Sequence, residues 1–80
     1  MKMQVSIEYC GTCNYRPRAA VFSLAIQEAL GIKSVLVHST KSGAFEIIAD
    51  GEVVYSKSAT GAFPSKEEII DILRMRRNSV

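Results

Sequence analysis

Two cysteines, Cys10 and Cys13, are all that this chain of 80 residues contains. A small secreted scaffold that relies on disulfides uses four or more, so the chain is not a cross-linked mini-protein. Long apolar runs are missing too, and none approaches the roughly 18 residues that would span a bilayer. The opening residues, MKMQVSIEY, alternate in polarity where a secretory signal would carry an apolar block and a small-residue cleavage site. The expected compartment is therefore the cytoplasm, with no membrane partner. Charge of one sign is also in short supply. The net charge is +2, and most of the excess lies in Arg74, Arg76 and Arg77. A nucleic-acid binder usually shows a stronger bias, interleaved with aromatic or recognition-helix residues, so no nucleic-acid partner is expected. Three arginines near the C-terminus read more simply as the last turn of a helix, where cations suit the negative end of the dipole. Repeats, linkers and low-complexity segments are absent. A chain of this length is read as one domain, residues 1–80, near the low end for a self-sufficient core.

What is present is a regular alternation of short strands and amphipathic helices. In residues 3–9, Met3, Val5, Ile7 and Tyr9 fall on one side of a strand, and Gln4, Ser6 and Glu8 on the other. Residues 18–30, RAAVFSLAIQEAL, place Ala19, Phe22, Ile26, Ala29 and Leu30 at helical spacing. Pro17 fits only a first helical turn, so the helix begins close behind Cys13, and Gly31 supplies its stop. Residues 34–38, SVLVH, read as a second strand, 39–43 as a loop, and 44–49 as a third strand with Phe45, Ile47 and Ala49 on one face. Asp50-Gly51 is a strong hairpin signal, and 52–56 is the returning strand. Residues 57–63 read as a polar loop. After Pro64, Ser65 and Glu68 form a capping box ahead of Ile69, Ile70, Ile72 and Leu73, and the last few residues are expected to fray.

The order is β-α-β-β-β-α. A right-handed crossover through the first helix lays the first two strands parallel, and the Asp-Gly hairpin makes the last two antiparallel. The polar side of the first strand implies that only one face of the sheet is covered. The expected architecture is an α/β two-layer sandwich, with a four-stranded mixed sheet and two helices on one face.

That arrangement puts Cys10-Gly11-Thr12-Cys13 between the first strand and the first helix, at the carboxyl end of a parallel strand, where open α/β sheets bind and react. In Cys-X-X-Cys pairs at helix N-termini, thiol pKa values fall from about 8.5 to between roughly 3.5 and 7.5. Arg16 and Arg18 are close enough in sequence to add to that effect, according to where they point. Gly11 and Thr12 are small enough to let the sulfurs meet. Three readings of the pair stay open: a redox-active dithiol, half of a zinc site, or an inert buried pair. Zinc needs four ligands, or three and water, and the chain offers one further imidazole, His38, at the end of the second strand. No second CxxC or HxxxH is present. By itself His38 reads as a strand-end surface residue. Cysteines packed for bulk have no need of a Gly-Thr spacer before a helix.

The run Tyr9-Cys10-Gly11-Thr12-Cys13-Asn14-Tyr15, an apolar helix, Gly43-Ala44-Phe45-Glu46, the Asp50-Gly51 turn and Gly61-Ala62-Phe63-Pro64 together resemble the selenoprotein W-like, or Rdx, family. The family includes selenoproteins W, T, H and V and cysteine-containing homologues, and the resemblance runs from Val5 to Leu73. It implies a thioredoxin-like fold and thiol redox chemistry. Cys10 matches the family's first redox cysteine, and Cys13 the position held by selenocysteine in its CxxU motif. In ordinary thioredoxins the first cysteine attacks, whereas in CxxU the more nucleophilic atom is at the second position. The resemblance therefore implies that Cys13 attacks and Cys10 resolves. Thioredoxins carry a proline, usually cis, opposite the active site; here Ser42-Gly43-Ala44 occupies the comparable region, and the only prolines are Pro17 and Pro64.

The function expected is exchange with a disulfide-containing protein or a glutathione-like small thiol, with no cofactor beyond an external reductant. The alternatives are a redox-sensitive protein-binding module and a zinc-bound structural module. Tyr9, Gly11, Thr12, Arg16, Arg18 and Phe63 are expected to tune or contact the thiols. Phe45 reads as core, and Lys41 as a solvated loop charge.

Overall fold

The computed structural model describes residues 3–78. Strand β1 (Val5–Cys10) buries Val5, Ile7 and Tyr9 and leaves Ser6 and Glu8 half-exposed, as the alternation demands. A 3-10 turn, Gly11–Cys13, leads into helix α1 (Arg16–Leu30). Strands β2 (Ser34–Ser39), β3 (Phe45–Ala49) and β4 (Glu52–Ser56) follow. A single-turn helix, α2 (Lys57–Thr60), and the longer α3 (Lys66–Asn78) complete the order. The sheet runs β2-β1-β3-β4, with β1 parallel to β2 and antiparallel to β3, and β3 antiparallel to β4.

One layer of helix covers one face. Ala19, Phe22, Ile26 and Leu30 of α1 and Ile69 and Leu73 of α3 join Val5, Ile7, Tyr9, Phe45, Ile47 and Ala49 in a single cluster. These strand residues alternate along β1 and β3, so both helices lie against the same side. Val35, Val37 and Val53 are exposed, on strands whose Leu36 and Val54 pack against the core. The chain therefore forms the thioredoxin-like two-layer α/β sandwich with a four-stranded mixed sheet. Among the described residues no helix is long and apolar enough to cross a membrane.

Helix α1 starts at Arg16, two residues before the expected stretch, with Pro17 in its first turn, and ends on Gly31. Ala29, placed on the buried stripe by its spacing, is exposed. It stands one position before Leu30, rotated about 100° from it, and its methyl is too short to reach the core from the stripe's edge. The expected loop at 57–63 is half helical, because Lys57-Ser58-Ala59-Thr60 closes one turn, with the Gly61 N–H donating to Lys57 O at 2.7 Å. A single helical turn carries no periodic signal to mark it. Glu68 N–H donates to Ser65 Oγ at 3.1 Å, so Ser65 caps α3. The reciprocal half of the capping box, from Glu68's carboxylate to the Ser65 N–H, is not formed among the described residues. The expected fraying falls on Ser79 and Val80, outside the described residues.

The hairpin takes the form its residues favour. Asp50 and Gly51 have φ of 53° and 83°, the pair of positive values that a two-residue turn matched to strand twist requires. Asp50 also ties the turn to the start of β1, accepting the Gln4 N–H on Oδ1 at 2.9 Å and donating its own N–H to Gln4 O at 2.8 Å. In β4 the register slips, since Ile47 faces Tyr55 but Ile48 faces Val53. The extra residue is a β-bulge. It leaves Val54 and Tyr55, consecutive in sequence, both packed against the core.

Candidate redox site

Cys10 is the last residue of β1, and its N–H donates to Ala44 O at 2.8 Å, continuing the strand pairing by one step. The residue is 1% exposed. Gly11–Cys13 then turns the chain, and Asn14, with φ of 60°, closes that turn before α1. Cys13 ends half-buried. A disulfide joins Cys10 to Cys13, with their Cα atoms 5.4 Å apart, inside the range such a bond needs. Strand end, turn and helix start thus bring the two sulfurs together, as the Gly-Thr spacer suggested.

Each sulfur has its own polar neighbour. Thr12 Oγ1 lies 3.4 Å from Cys10 Sγ, and the Gly43 N–H donates to Cys13 Sγ at 3.3 Å. His38 lies over the turn. A Cβ built on Gly11 would fall 1.8 Å from its Nε2 and 1.9 Å from its Cδ2, so the imidazole occupies the space where any side chain at position 11 would go. The same ring meets Tyr9 edge-on, with centroids 6.1 Å apart. Among the described residues no three His, Cys, Asp or Glu side chains form a group able to hold a metal. His38 lies against the backbone of the turn at Gly11.

Beside the pair lies an aromatic cluster. Phe45 is fully buried and meets Phe22 at 5.4 Å, Phe63 at 5.2 Å and Tyr15 at 6.5 Å between centroids. Tyr15 and Phe63 pack edge to face at 4.9 Å. The Arg18 guanidinium sits 4.1 Å above the Phe63 ring, and Lys57 Nζ lies 5.2 Å from Phe63 and 5.9 Å from Tyr15. A shallow groove starts at Asn14 and runs between Pro17 and Val21 on one side and Pro64 and Lys66 on the other.

The residues singled out in the sequence are distributed unevenly around this site. Gly11 and Thr12 are in the turn itself. Tyr9 points into the core, where it is 6% exposed. Arg18 is committed to Phe63, and Phe63 is one ring removed from Phe45, the residue after the 41–44 loop that faces Cys13. Arg16 is exposed, with no hydrogen bond or ion pair among the described residues. The sequence reading gave no such role to four residues of the site. Tyr15 and Lys57 belong to the aromatic cluster, His38, weighed as a ligand or a surface residue, covers Gly11, and Gly43 supplies a donor to Cys13. An aromatic residue two places after the second cysteine was a usable signal for Tyr15; the other three depend on tertiary contacts that no local pattern encodes.

Comparisons with known proteins agree with this geometry. A model of the Rdx family matches residues 4–75. Two relatives, both called migration and invasion enhancer 1, are 28% identical in Bos taurus and 26% in Mus musculus over 76 residues, which is 95% of this chain. The chain spans 66% of the length of each. Among solved structures, a selenoprotein W-related protein from Vibrio cholerae superposes with a TM-score of 0.83 at 29% identity, over 92% of this chain and 95% of that one. A protein from Bordetella parapertussis superposes at 0.89 over 95% and 99% of the two chains. At 24% identity the latter bears on fold alone. A CxxC pair at this place fits a redox role.

Proposed function

Because the chain belongs to the Rdx family, we propose that it is a thiol–disulfide exchange protein in which Cys13 attacks and Cys10 resolves. The observation that carries this reading is the unequal burial of the pair: Cys10 is 1% exposed, whereas Cys13 is half-buried. A disulfide substrate can approach only the outer sulfur. The Cys13 thiolate attacks the substrate disulfide to form a mixed disulfide and expel one substrate thiolate. Cys10, enclosed and adjacent, then attacks the Cys13 sulfur, closes the Cys10–Cys13 bond and releases the second substrate thiol. Two electrons pass from the pair to the substrate, and an external thiol returns them.

The partners proposed are a disulfide-containing protein or a glutathione-like small thiol, and the compartment proposed is the cytoplasm. The groove that includes Asn14, the residue after Cys13, together with Pro17, Val21 and Pro64 offers a surface on which a client chain can lie. Reduction of insulin disulfides by wild type, Cys10→Ser and Cys13→Ser tests the reading. Both variants should lose turnover, with Cys10→Ser accumulating a mixed disulfide through Cys13 that Cys13→Ser cannot form. Full activity in both variants would remove the proposal.

A second reading is supported by one contact pattern. The Cys10 N–H bonds Ala44 O, and the Gly43 N–H bonds Cys13 Sγ, so the 40–44 loop touches both members of the pair. A module whose loop surface changes with the redox state of the pair would bind a protein partner in one state only. Little turnover, together with a partner released on oxidation in a pull-down, would favour it.

A further inference from the structure

We propose that the backbone N–H of Gly43 is the group that holds Cys13 as a thiolate in the reduced protein. This rests on the exchange chemistry proposed above and identifies what makes Cys13 the attacking member. The donor already lies 3.3 Å from Cys13 Sγ in the disulfide form, where the sulfur is neutral and a weak acceptor. A thiolate is a stronger acceptor, and hydrogen bonds to an ionised partner are roughly twice as strong as neutral ones.

The donor is held in place before the charge appears. The Ala44 N–H donates to Lys41 O at 3.3 Å, and the Lys41 N–H to Ser39 Oγ at 3.1 Å. Ala44 O accepts the Cys10 N–H at 2.8 Å, which pins the loop to the same strand end that carries the pair. A dipole fixed in this way stabilises charge without reorganising. Gly43 itself has φ of 77°, and a Cβ there would meet nothing within 4 Å. The demand for glycine at 43 is therefore one of backbone conformation, not of space. A proline at this position would have no N–H to give.

The two sulfurs are treated differently. Cys10 has the Thr12 hydroxyl at 3.4 Å and is enclosed, and burial disfavours the charged form of a thiol. Cys13 is half-buried and has the aimed amide. In the reduced protein the proton is thus expected on Cys10 and the charge on Cys13. When the Cys13 thiolate attacks R–S–S–R′, the new Cys13–S–S–R bond forms and R′S⁻ leaves to take a proton from water. Cys10 then loses its proton to solvent and displaces RS⁻, and a dithiol such as dithiothreitol restores both electrons. Other ionisable groups near the turn are Cys10, His38 over Gly11, Lys41 in the facing loop and Arg16 at the start of α1.

The test uses the reduced Cys10→Ser variant, which leaves one thiol. The Gly43 amide is followed by ¹⁵N–¹H NMR across pH, and Cys13 is titrated by alkylation rate. The Gly43 amide proton should move further downfield than any other in the 40–44 loop, with the same midpoint as Cys13 alkylation. Gly43→Ala, placed at a φ that L-residues resist, should raise the Cys13 midpoint by about one unit. Below both midpoints that leaves about tenfold less thiolate, partly offset by higher intrinsic nucleophilicity, for a net slowing of about threefold. Gly43→Asn, which tolerates left-handed backbone, should restore the midpoint of the Cys10→Ser parent. Gly31→Ala, at a similar φ of 69° at the other end of α1, should lose stability without moving the midpoint. A Gly43 resonance that ignores the titration of Cys13, or a Gly43→Ala midpoint equal to that of the parent, overturns the proposal. The NMR arm decides even where Gly43→Ala does not fold. Wild type that reduces insulin while the Gly43 amide stays unmoved removes this inference alone, whereas wild type inactive on disulfides removes the exchange reading beneath it.

Discussion

Gly11→Ala probes the packing of the turn through a change of sign. In the native protein the new methyl would sit 1.8 to 1.9 Å from two ring atoms of His38, so the imidazole must swing away. Swinging away forfeits the edge contact with Tyr9, about 0.5–1.5 kcal/mol for an aromatic pair, and forces a poorer rotamer at about 0.5–1.5 kcal/mol. Against this, replacing glycine by alanine at a permitted backbone stabilises by about 0.4–1 kcal/mol through the unfolded chain, and Gly11 is not among the positive-φ residues. The net cost should be about 1 kcal/mol, or a Tm lower by roughly 4–8 °C for a domain of this size. In a His38→Ala background the obstacle is gone. The same Gly11→Ala change should then stabilise by about 0.4–1 kcal/mol. Urea and thermal unfolding of the four proteins, each with the disulfide intact, give the coupling directly, expected at about 1.5–2 kcal/mol. Equal effects of Gly11→Ala in both backgrounds would refute the claim that His38 fills the space above the turn.

Phe45→Ala should cost about 3–5 kcal/mol, because Phe45 is fully buried and supports three other rings. Set against a total of roughly 4–12 kcal/mol for a chain of this length, that brings the fold near its limit; a loss under 1 kcal/mol in urea titration would contradict the packing described. Ser65→Ala should cost about 1 kcal/mol by removing the acceptor for the Glu68 N–H. Ser65→Asp, which keeps an acceptor and adds negative charge at the helix start, should recover it in the same assay.

The parts of the fold that could be read in advance are those with a short-range cause. Val5, Ile7 and Tyr9 alternate because one face of β1 is covered, and Asp50-Gly51 turns because both residues accept positive φ. The meeting of the two cysteines was also legible, since a strand end, a small Gly-Thr spacer and a helix start put them at one turn. Ala29 fell on the wrong side of α1 because spacing alone does not say how wide a stripe the sheet covers. The bulge that turns Val54 and Tyr55 both inward breaks the period-two rule by inserting one residue. Helix α2 was invisible because a single turn of four residues, three of them polar, has no periodicity to show. The contacts that Gly43 and His38 make with the turn were beyond reach for a different reason. Each acts on the turn from another strand or loop, about thirty residues away, through a backbone donor in one case and a ring filling an empty space in the other. Arg18 shows the converse, because proximity in sequence suggested a cation for the thiols and the structure gives it to Phe63.

Competition between the two thiols for a limiting alkylating agent, resolved by mass spectrometry on the reduced wild type across pH, tests the assignment of roles most directly. Cys13 should be labelled first at every pH, with a midpoint below the ordinary value of about 8.5, and Cys10 only slowly from its enclosed position. Equal labelling of both sulfurs with midpoints near 8.5, or faster labelling of Cys10, would contradict it.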